Sequence, residues 1–295
     1  MPSHSKLFFT RSVQKDKIRY FDGDNGREVR DKQIIERLNK LRIPPGYHDV
    51  IISKDAASKV QAIGFDDRGR KQYTYSKSFV AGQQKSKFDS LAKFGETFDR
   101  INRDANQKLL LPMTSKDKVI AVIIRLIIDC GFRAGNARYA RENKTYGTST
   151  LLCKHVEVNG KHVKISFVGK KNVLNESCVT SPLVRKFIVA LKEQCRPNKR
   201  LFTYLDDKKI ERVVESSDVN LYLKRFGADV KAKDLRGWVA NKLFMEFWPS
   251  AEGRTSKEKL KWTISKVAER LHHTIAVCKK DYLHPDLIEA AQQSQ

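Results

Sequence analysis

The stretch 271–282 sets a histidine, His273, nine residues ahead of a tyrosine, Tyr282, between a helix-like run and a basic turn. A lone tyrosine is usually a half-buried core residue, so the pair gains meaning only in company. Three cations upstream, Arg133, Lys170 and Arg236, could gather with it round one phosphate. Each has a plainer alternative. A single arginine is by default a surface residue, and most turn lysines are merely solvated. The setting of each residue decides between the readings.

Arg133 follows an apolar helix. Ser115 can cap that helix, which runs to Cys130, and Gly131 suits its C-terminal stop. Strands at 153–158, 163–168 and 173–178 read as a three-stranded antiparallel sheet, opened by the Asn159-Gly160 hairpin signal. Lys170 falls in its second turn, Gly169-Lys170-Lys171-Asn172, where a long amine can reach into a cleft. Asp234 can cap a helix over 235–247. That puts Arg236 in its first turn, where free backbone N–H groups favour phosphate, with Lys233 just before it. A basic amphipathic helix over 256–271 delivers His273, and a short helix ended by His284-Pro285 carries Tyr282. Helices over 87–106, from Ser181-Pro182 onward and over 217–226 complete this half.

Residues 1–81 read as a small α+β domain. Short strands are expected at 18–21 and 28–29, then a helix from Asp31 to about Leu41 with Ile34, Ile35, Leu38 and Leu41 on one face. Pro44-Pro45-Gly46 stops it, a strand follows at 49–53, and 60–65 pairs with 71–76 across a hairpin signal. The last strand carries Gln72, Tyr73 and Tyr75 beside Arg70 and Lys71. Such a strand could enter a DNA groove, where Gln pairs with adenine edges; an ordinary amphipathic strand fits as well. Small, polar and basic residues place a linker near 80–86, and the tail 292–295 is expected to fray. The fold class that emerges is α+β: a small N-terminal β-rich domain over 1–81, and a larger, mainly α-helical domain over 87–295 holding the three-stranded antiparallel sheet.

The charge balance points to the partner. Lys plus Arg number 58 against 34 acids, a net +24 over 295 residues, and so large an excess suits a polyanion. The five cysteines are odd in number, scattered and without a C-x-x-C, which reads as reduced thiols in an intracellular protein. No Cys/His cluster has zinc-ligand spacing. No signal peptide opens the chain, and no apolar run reaches the ~18 residues of a membrane span. The most apolar stretch, 119–128, is interrupted by Arg125 and reads as a buried helix.

Taken together, these blocks resemble the small DNA topoisomerases IB of poxviruses, other large DNA viruses and bacteria. The resemblance covers nearly the whole chain. It rests on Leu41-Arg42-Ile43-Pro44-Pro45, Asp49-Val50 and Gly69-Arg70-Lys71-Gln72-Tyr73 in the first domain. In the second it rests on Arg138-Tyr139-Ala140-Arg141-Glu142-Asn143, Tyr146-Gly147, Phe167-Val168-Gly169-Lys170, Lys233-Asp234-Leu235-Arg236, Val267-Ala268-Glu269-Arg270-Leu271 and Tyr282-Leu283-His284-Pro285. Residue by residue, the resemblance makes Arg133 and Arg236 the catalytic arginines, Lys170 the hairpin lysine, His273 the histidine and Tyr282 the nucleophile, with Lys233 auxiliary. His272 stands where the family often has glycine. Gln72, Tyr73, Tyr75 and Tyr139 match residues that touch DNA, and Arg70, Lys71 and Arg138 flank them. Asn136 replaces a lysine that helps the poxvirus enzymes read their pentamer, and Lys171 replaces an acidic residue.

The resemblance implies a tyrosine recombinase/topoisomerase IB-like catalytic domain that relaxes supercoils through a 3′-phosphotyrosyl intermediate. It implies no ATP and no obligatory metal, with magnesium stimulatory at most. The partner is double-stranded DNA, clamped by a monomer, and no membrane. The place of work is intracellular: virion or viral factory for a viral protein, cytoplasm or nucleoid for a bacterial one. Two alternatives stand beside it. A tyrosine recombinase or integrase shares the chemistry but usually has His-x-x-Arg in place of Lys233-Asp234-Leu235-Arg236. A non-catalytic basic DNA-binding protein would not need Tyr282 at this spacing from His273.

Overall fold

Alternation of apolar and polar residues builds the first sheet. The structure, a computed structural model, describes residues 8–14 and 17–293, and the side chains of all these but 87 and 92. The chain forms two compact units that divide between Lys87 and Phe88. In the first, β1 (Phe8–Gln14), β2 (Lys17–Asp22), β3 (His48–Ser53), β4 (Val60–Phe65) and β5 (Lys71–Tyr75) make an antiparallel sheet in the order β2-β1-β3-β4-β5. Helix α1 (Lys32–Lys40) begins where Asp31 accepts from the amides of Gln33 and Ile34 at 2.8 and 3.1 Å. Leu38 on α1, with Phe9, Tyr20, Val50, Ile52 and Ala62 on the strands, forms the core of this unit. The strand expected at 28–29 is only a single bridge between Phe21 and Glu28, and β1 was not evident from the sequence.

The expected irregular linker near 80–86 is a helix instead. Helix α2 (Lys77–Ala92) runs straight through it, and the division between the units falls within this helix. Ser76 starts it by accepting the amides of Phe79 (on Oγ) and Val80. Gln and Lys are good helix formers, and the single Gly82 costs only about 1 kcal/mol. The helix expected over 87–106 breaks at Lys93, beyond which α3 (Phe94–Lys108) begins.

The second unit is organised on α4 (Lys116–Cys130), buried on nearly every side from Val119 to Cys130. The two charges in that run, Arg125 and Asp129, pair with each other at 2.5 Å, and Arg125 also bonds Asn102. Removing one α4 side chain such as Ile124 to Ala would cost roughly 2–5 kcal/mol. Next come α5 (Ala137–Asn143) and the sheet β6 (Val156–Asn159), β7 (His162–Val168) and β8 (Leu174–Cys178), antiparallel in that order. The segment 153–155, expected as strand, is a short 3-10 turn. Helix α6 (Pro182–Glu193), a small ribbon β9 (Thr203–Leu205) with β10 (Glu211–Val213), and α7 (Ser216–Leu223) follow. The chain then makes α8 (Ala232–Phe247), α9 (Ser256–Arg270), α10 (Ile275–Asp281) and α11 (Pro285–Gln293). Gln292 and Gln293, expected to fray, end α11; residues 294–295 lie outside the described residues.

The reading of five reduced thiols is corrected. Cys153 and Cys195, 42 residues apart, form a disulfide with Cα atoms 6.0 Å apart, while Cys130, Cys178 and Cys278 are free. Spacing along the chain carries no signal of such an approach. Among the described residues no helix is long and apolar enough to cross a membrane.

Candidate active site

Four of the sequence-identified residues converge in the second unit. Arg236 is 3% exposed. Its Nη1 donates to the Tyr282 hydroxyl at 3.0 Å and its Nη2 to the Leu271 carbonyl at 2.7 Å. The guanidinium also lies 5.2 Å from the centroid of the Tyr282 ring. On the other side the His273 ring stacks on Tyr282 at 4.5 Å. Arg133 is close enough to press electrostatically on both Arg236 and His273.

Burial sets the electrostatics. It pulls the Arg236 guanidinium down to about 10, with Tyr282 opposing and the like charge of Arg133 assisting. It holds His273 down to about 4, again helped by Arg236 and Arg133, so the imidazole is neutral near pH 7. Among the described residues no carboxylate pairs with Arg236. Arg236 Nε and His273 Nε2 are both buried without a hydrogen-bond partner. Leaving one such atom unmet costs about 1–3 kcal/mol. The centre is therefore a cationic pocket with an Arg236 donor to spare, suited to an anion.

The backbone explains how the sequence assembles this pocket. Helix α4 ends at Gly131 in the left-handed region, φ 66°, and a Cβ there would sit 2.4 Å from the Arg270 carbonyl. That close approach brings the segment after α4, with Arg133, to the end of α9, with His273. The Arg133 carbonyl then accepts from the amide and hydroxyl of Thr148 at 2.7 and 3.0 Å. Helix α8 starts earlier than the sequence suggested. Asp234 is its third residue, and its carboxylate accepts the Lys231 amide at 2.8 Å. Arg236 therefore lies in the second turn, held by packing, and away from the free amides of the helix start.

Tyr282 follows the last residue of α10, and Asn241 fastens its backbone. The buried Asn241 amide donates to the Tyr282 carbonyl at 2.9 Å and accepts the His284 amide at 2.7 Å. Sequence reasoning missed Asn241. Its only trace is an asparagine between apolar positions of a helix interior, a place the residue type does not favour. Arg270, read only as part of a block, donates to Ser177 on β8 at 3.3 Å and to the Asp129 carbonyl of α4.

The remaining candidates stand elsewhere. Lys170 is exposed in the turn between β7 and β8 and shares no hydrogen bond or ion pair with the four, among the described residues. The base of its hairpin is tied inward, since Phe167 of β7 packs against Phe132 at 4.9 Å. Lys233 is exposed at the start of α8. Asn136 caps α5 by accepting the Tyr139 amide at 3.2 Å. Arg138 pairs with Glu142 at 3.0 Å, and Tyr139 is 50% exposed.

In the first unit, Tyr73 and Tyr75 are 47% and 44% exposed on the edge strand β5 and stack at 6.2 Å, with the Lys71 ammonium 5.5 Å from the Tyr73 ring centroid. Gln72 does not share their face. The strand's two-residue period turns it the other way, where Gln72 and Arg70 both bond Asp66, at 2.9 and 2.7 Å. Among the described residues no three His, Cys, Asp or Glu side chains stand together as a metal site.

Residues 76–295 match the family described as eukaryotic DNA topoisomerase I, catalytic core, and residues 17–66 match the bacterial DNA topoisomerase IB N-terminal domain. A DNA topoisomerase 1B of Acanthamoeba polyphaga mimivirus is 33% identical, over 96% of this chain and 87% of that protein. The DNA topoisomerase 1B of Vaccinia virus (strain Copenhagen) is 27% identical, over 88% of this chain and 82% of that protein. Among solved structures, the XerH site-specific recombinase in its post-cleavage complex aligns with a TM-score of 0.40 at 16% identity, over 70% of this chain and 51% of that one, too slight a likeness to weigh. With a family match across the whole second unit and a relative a third identical over nearly all its length, the chain belongs to the type IB DNA topoisomerases.

Proposed function

We propose that this type IB topoisomerase cuts one strand of duplex DNA with Tyr282. The phenol oxygen attacks a backbone phosphorus and loses its proton to water, a 3′-phosphotyrosyl ester forms, and the bond to the 5′ oxygen breaks. The free strand turns about the intact one. The 5′-hydroxyl then attacks the ester and reseals the strand. One phosphoester is exchanged for another, so the bond energy is kept and ATP has no task.

A phenol with a reference pKa near 10 is a poor nucleophile toward a phosphodiester anion. Arg236 and Arg133 offset that charge, and Arg236 already holds the attacking oxygen, at 3.0 Å. That contact is the observation that carries the reading. The unpartnered Nε of Arg236 supplies a donor for a non-bridging oxygen. His273 Nδ1 faces the Thr274 carbonyl at 3.3 Å and so bears the proton of the neutral ring; Nε2 donates to the phosphate when the ring is protonated or the tautomer switches as DNA binds. Lys170, on its exposed turn, gives a proton to the leaving 5′ oxygen and takes it back on resealing; Lys233 assists. With cations and donors supplied by side chains, no metal is needed, and magnesium acts at most as a stimulant.

The partner is duplex DNA, gripped by a monomer through both units: through Arg133 and its neighbours Asn136, Arg138 and Tyr139, and through Arg70, Lys71, Gln72, Tyr73 and Tyr75. Its place of work is the compartment that holds that DNA. Trapping the cleaved complex with denaturant, digesting it and locating the nucleotide-bearing peptide by mass spectrometry tests the reading. The adduct belongs on Tyr282; an adduct on another residue, or none, would overturn it.

A further inference from the structure

The turn joining α9 to α10 is gripped from two sides. The Leu271 carbonyl accepts from Arg236 at 2.7 Å. Next in the chain, His272 adopts φ 52°, in the left-handed region where a side chain is unfavourable and glycine is at ease. A histidine held in this conformation beside the pocket costs backbone energy, and its contacts offset that cost. Its Nε2 is 2.9 Å from the Cys130 carbonyl, the last of α4, and its ring lies 5.2 Å from that of Phe132. Phe132 precedes Arg133 in the chain and packs at 4.9 Å on Phe167, in the hairpin that carries Lys170. One side chain thus joins the segments bearing His273 and Arg133, and Phe132 carries the packing on to the hairpin of Lys170.

We infer that His272 is a positioning residue for strand cleavage, tying the turn that presents His273 to the end of α4 that presents Arg133. It touches neither the Tyr282 oxygen nor, on the reading above, the phosphate; it acts by fixing the distance between two groups that do. The inference rests on the proposed roles of Arg133 and His273. It also gives His272 a task that glycine, though better suited to the backbone, could not perform.

The test uses the full chain and two variants. His272→Gly suits the left-handed backbone and removes both ties. His272→Asn tolerates that backbone and keeps a donor for the Cys130 carbonyl. The readouts are the single-turnover rate of covalent adduct formation at saturating duplex DNA, the Kd for the same duplex, and the thermal midpoint. His272→Gly is expected to slow adduct formation by about tenfold to a hundredfold, the scale of a misplacement of order 1 Å. Kd and thermal midpoint stay at wild-type values, and His272→Asn recovers part of the rate. A His272→Gly enzyme that cleaves at the wild-type rate would overturn the inference. So would two variants slowed alike, in step with weaker binding and a lower midpoint, since that is the mark of a purely structural residue. Wild-type adduct formation is the reference for every ratio, so a failure of Tyr282 chemistry shows in the wild-type enzyme before any variant is compared.

Discussion

At the scale of single residues, the pocket crowds positive charge and an unpartnered Arg236 donor against one phenol. Arg236 is buried and, among the described residues, pairs with no carboxylate, so its charge suits an incoming phosphate. Arg133→Ala and Arg236→Ala are each expected to slow cleavage by about a hundredfold or more, the scale of losing one transition-state donor. Single-turnover rates on a duplex of fixed sequence check this, and a loss below a few-fold would contradict it. Lys170→Ala should be rescued by a 5′-bridging sulfur, whose thiolate leaves without a proton. If the sulfur substrate is cut as poorly as the natural one, Lys170 is not the acid. Tyr282, His273 and the arginines stood out as candidates only in company: Arg236 lies within the block 233–236, Arg133 just ahead of the block 138–143, and Tyr282 opens the block 282–285. Asn241 and His272 did not stand out. Their roles depend on carbonyls and amides 41 and 142 residues away, and no local pattern encodes such partners.

At the scale of elements, the second turn of α8, which holds Arg236, and three segment ends make the pocket: the end of α4, the turn after α9 and the residue after α10. Helix ends leave carbonyls unpaired, and here Arg270 and His272 take up those of Asp129 and Cys130. Holding neutral histidines in this packing gives the fold an acid sensitivity. His155 and His273 are both held down to about 4 by burial, against an unfolded value near 6.5. Between those values the unfolded chain binds the protons and the folded chain does not, so stability is whole above about pH 6.5 and drains as pH falls toward 4. Urea midpoints across that window should drop, and His273→Asn should drop less steeply; equal slopes would contradict the assignment for His273. Most elements of the second unit were legible, because α4 is an unbroken apolar run and Asn159-Gly160 marks its hairpin. Helix α2 was misread because Gly82 and its polar neighbours look like a linker. Helix α8 was cut short because Asp234 caps from its third position as readily as from the first.

At the scale of the whole molecule, the charge of +24 makes DNA affinity a matter of salt. The Kd should climb steeply with ionic strength. Lys71→Ala should lower the slope of log K against log salt by about 1, while Tyr73→Ala or Tyr75→Ala weakens binding and leaves the slope alone. Titrations at several salt concentrations decide it, and wild-type affinity in all three variants would remove the first unit from the DNA interface. The measurement that bears most directly on the central claim is relaxation of supercoiled plasmid in EDTA without ATP. The wild-type chain should relax it to completion, and Tyr282→Phe should bind the plasmid but relax none of it. Relaxation by Tyr282→Phe, or a wild-type chain that stays idle until ATP or a metal is added, would contradict a metal-free exchange of phosphoesters through Tyr282.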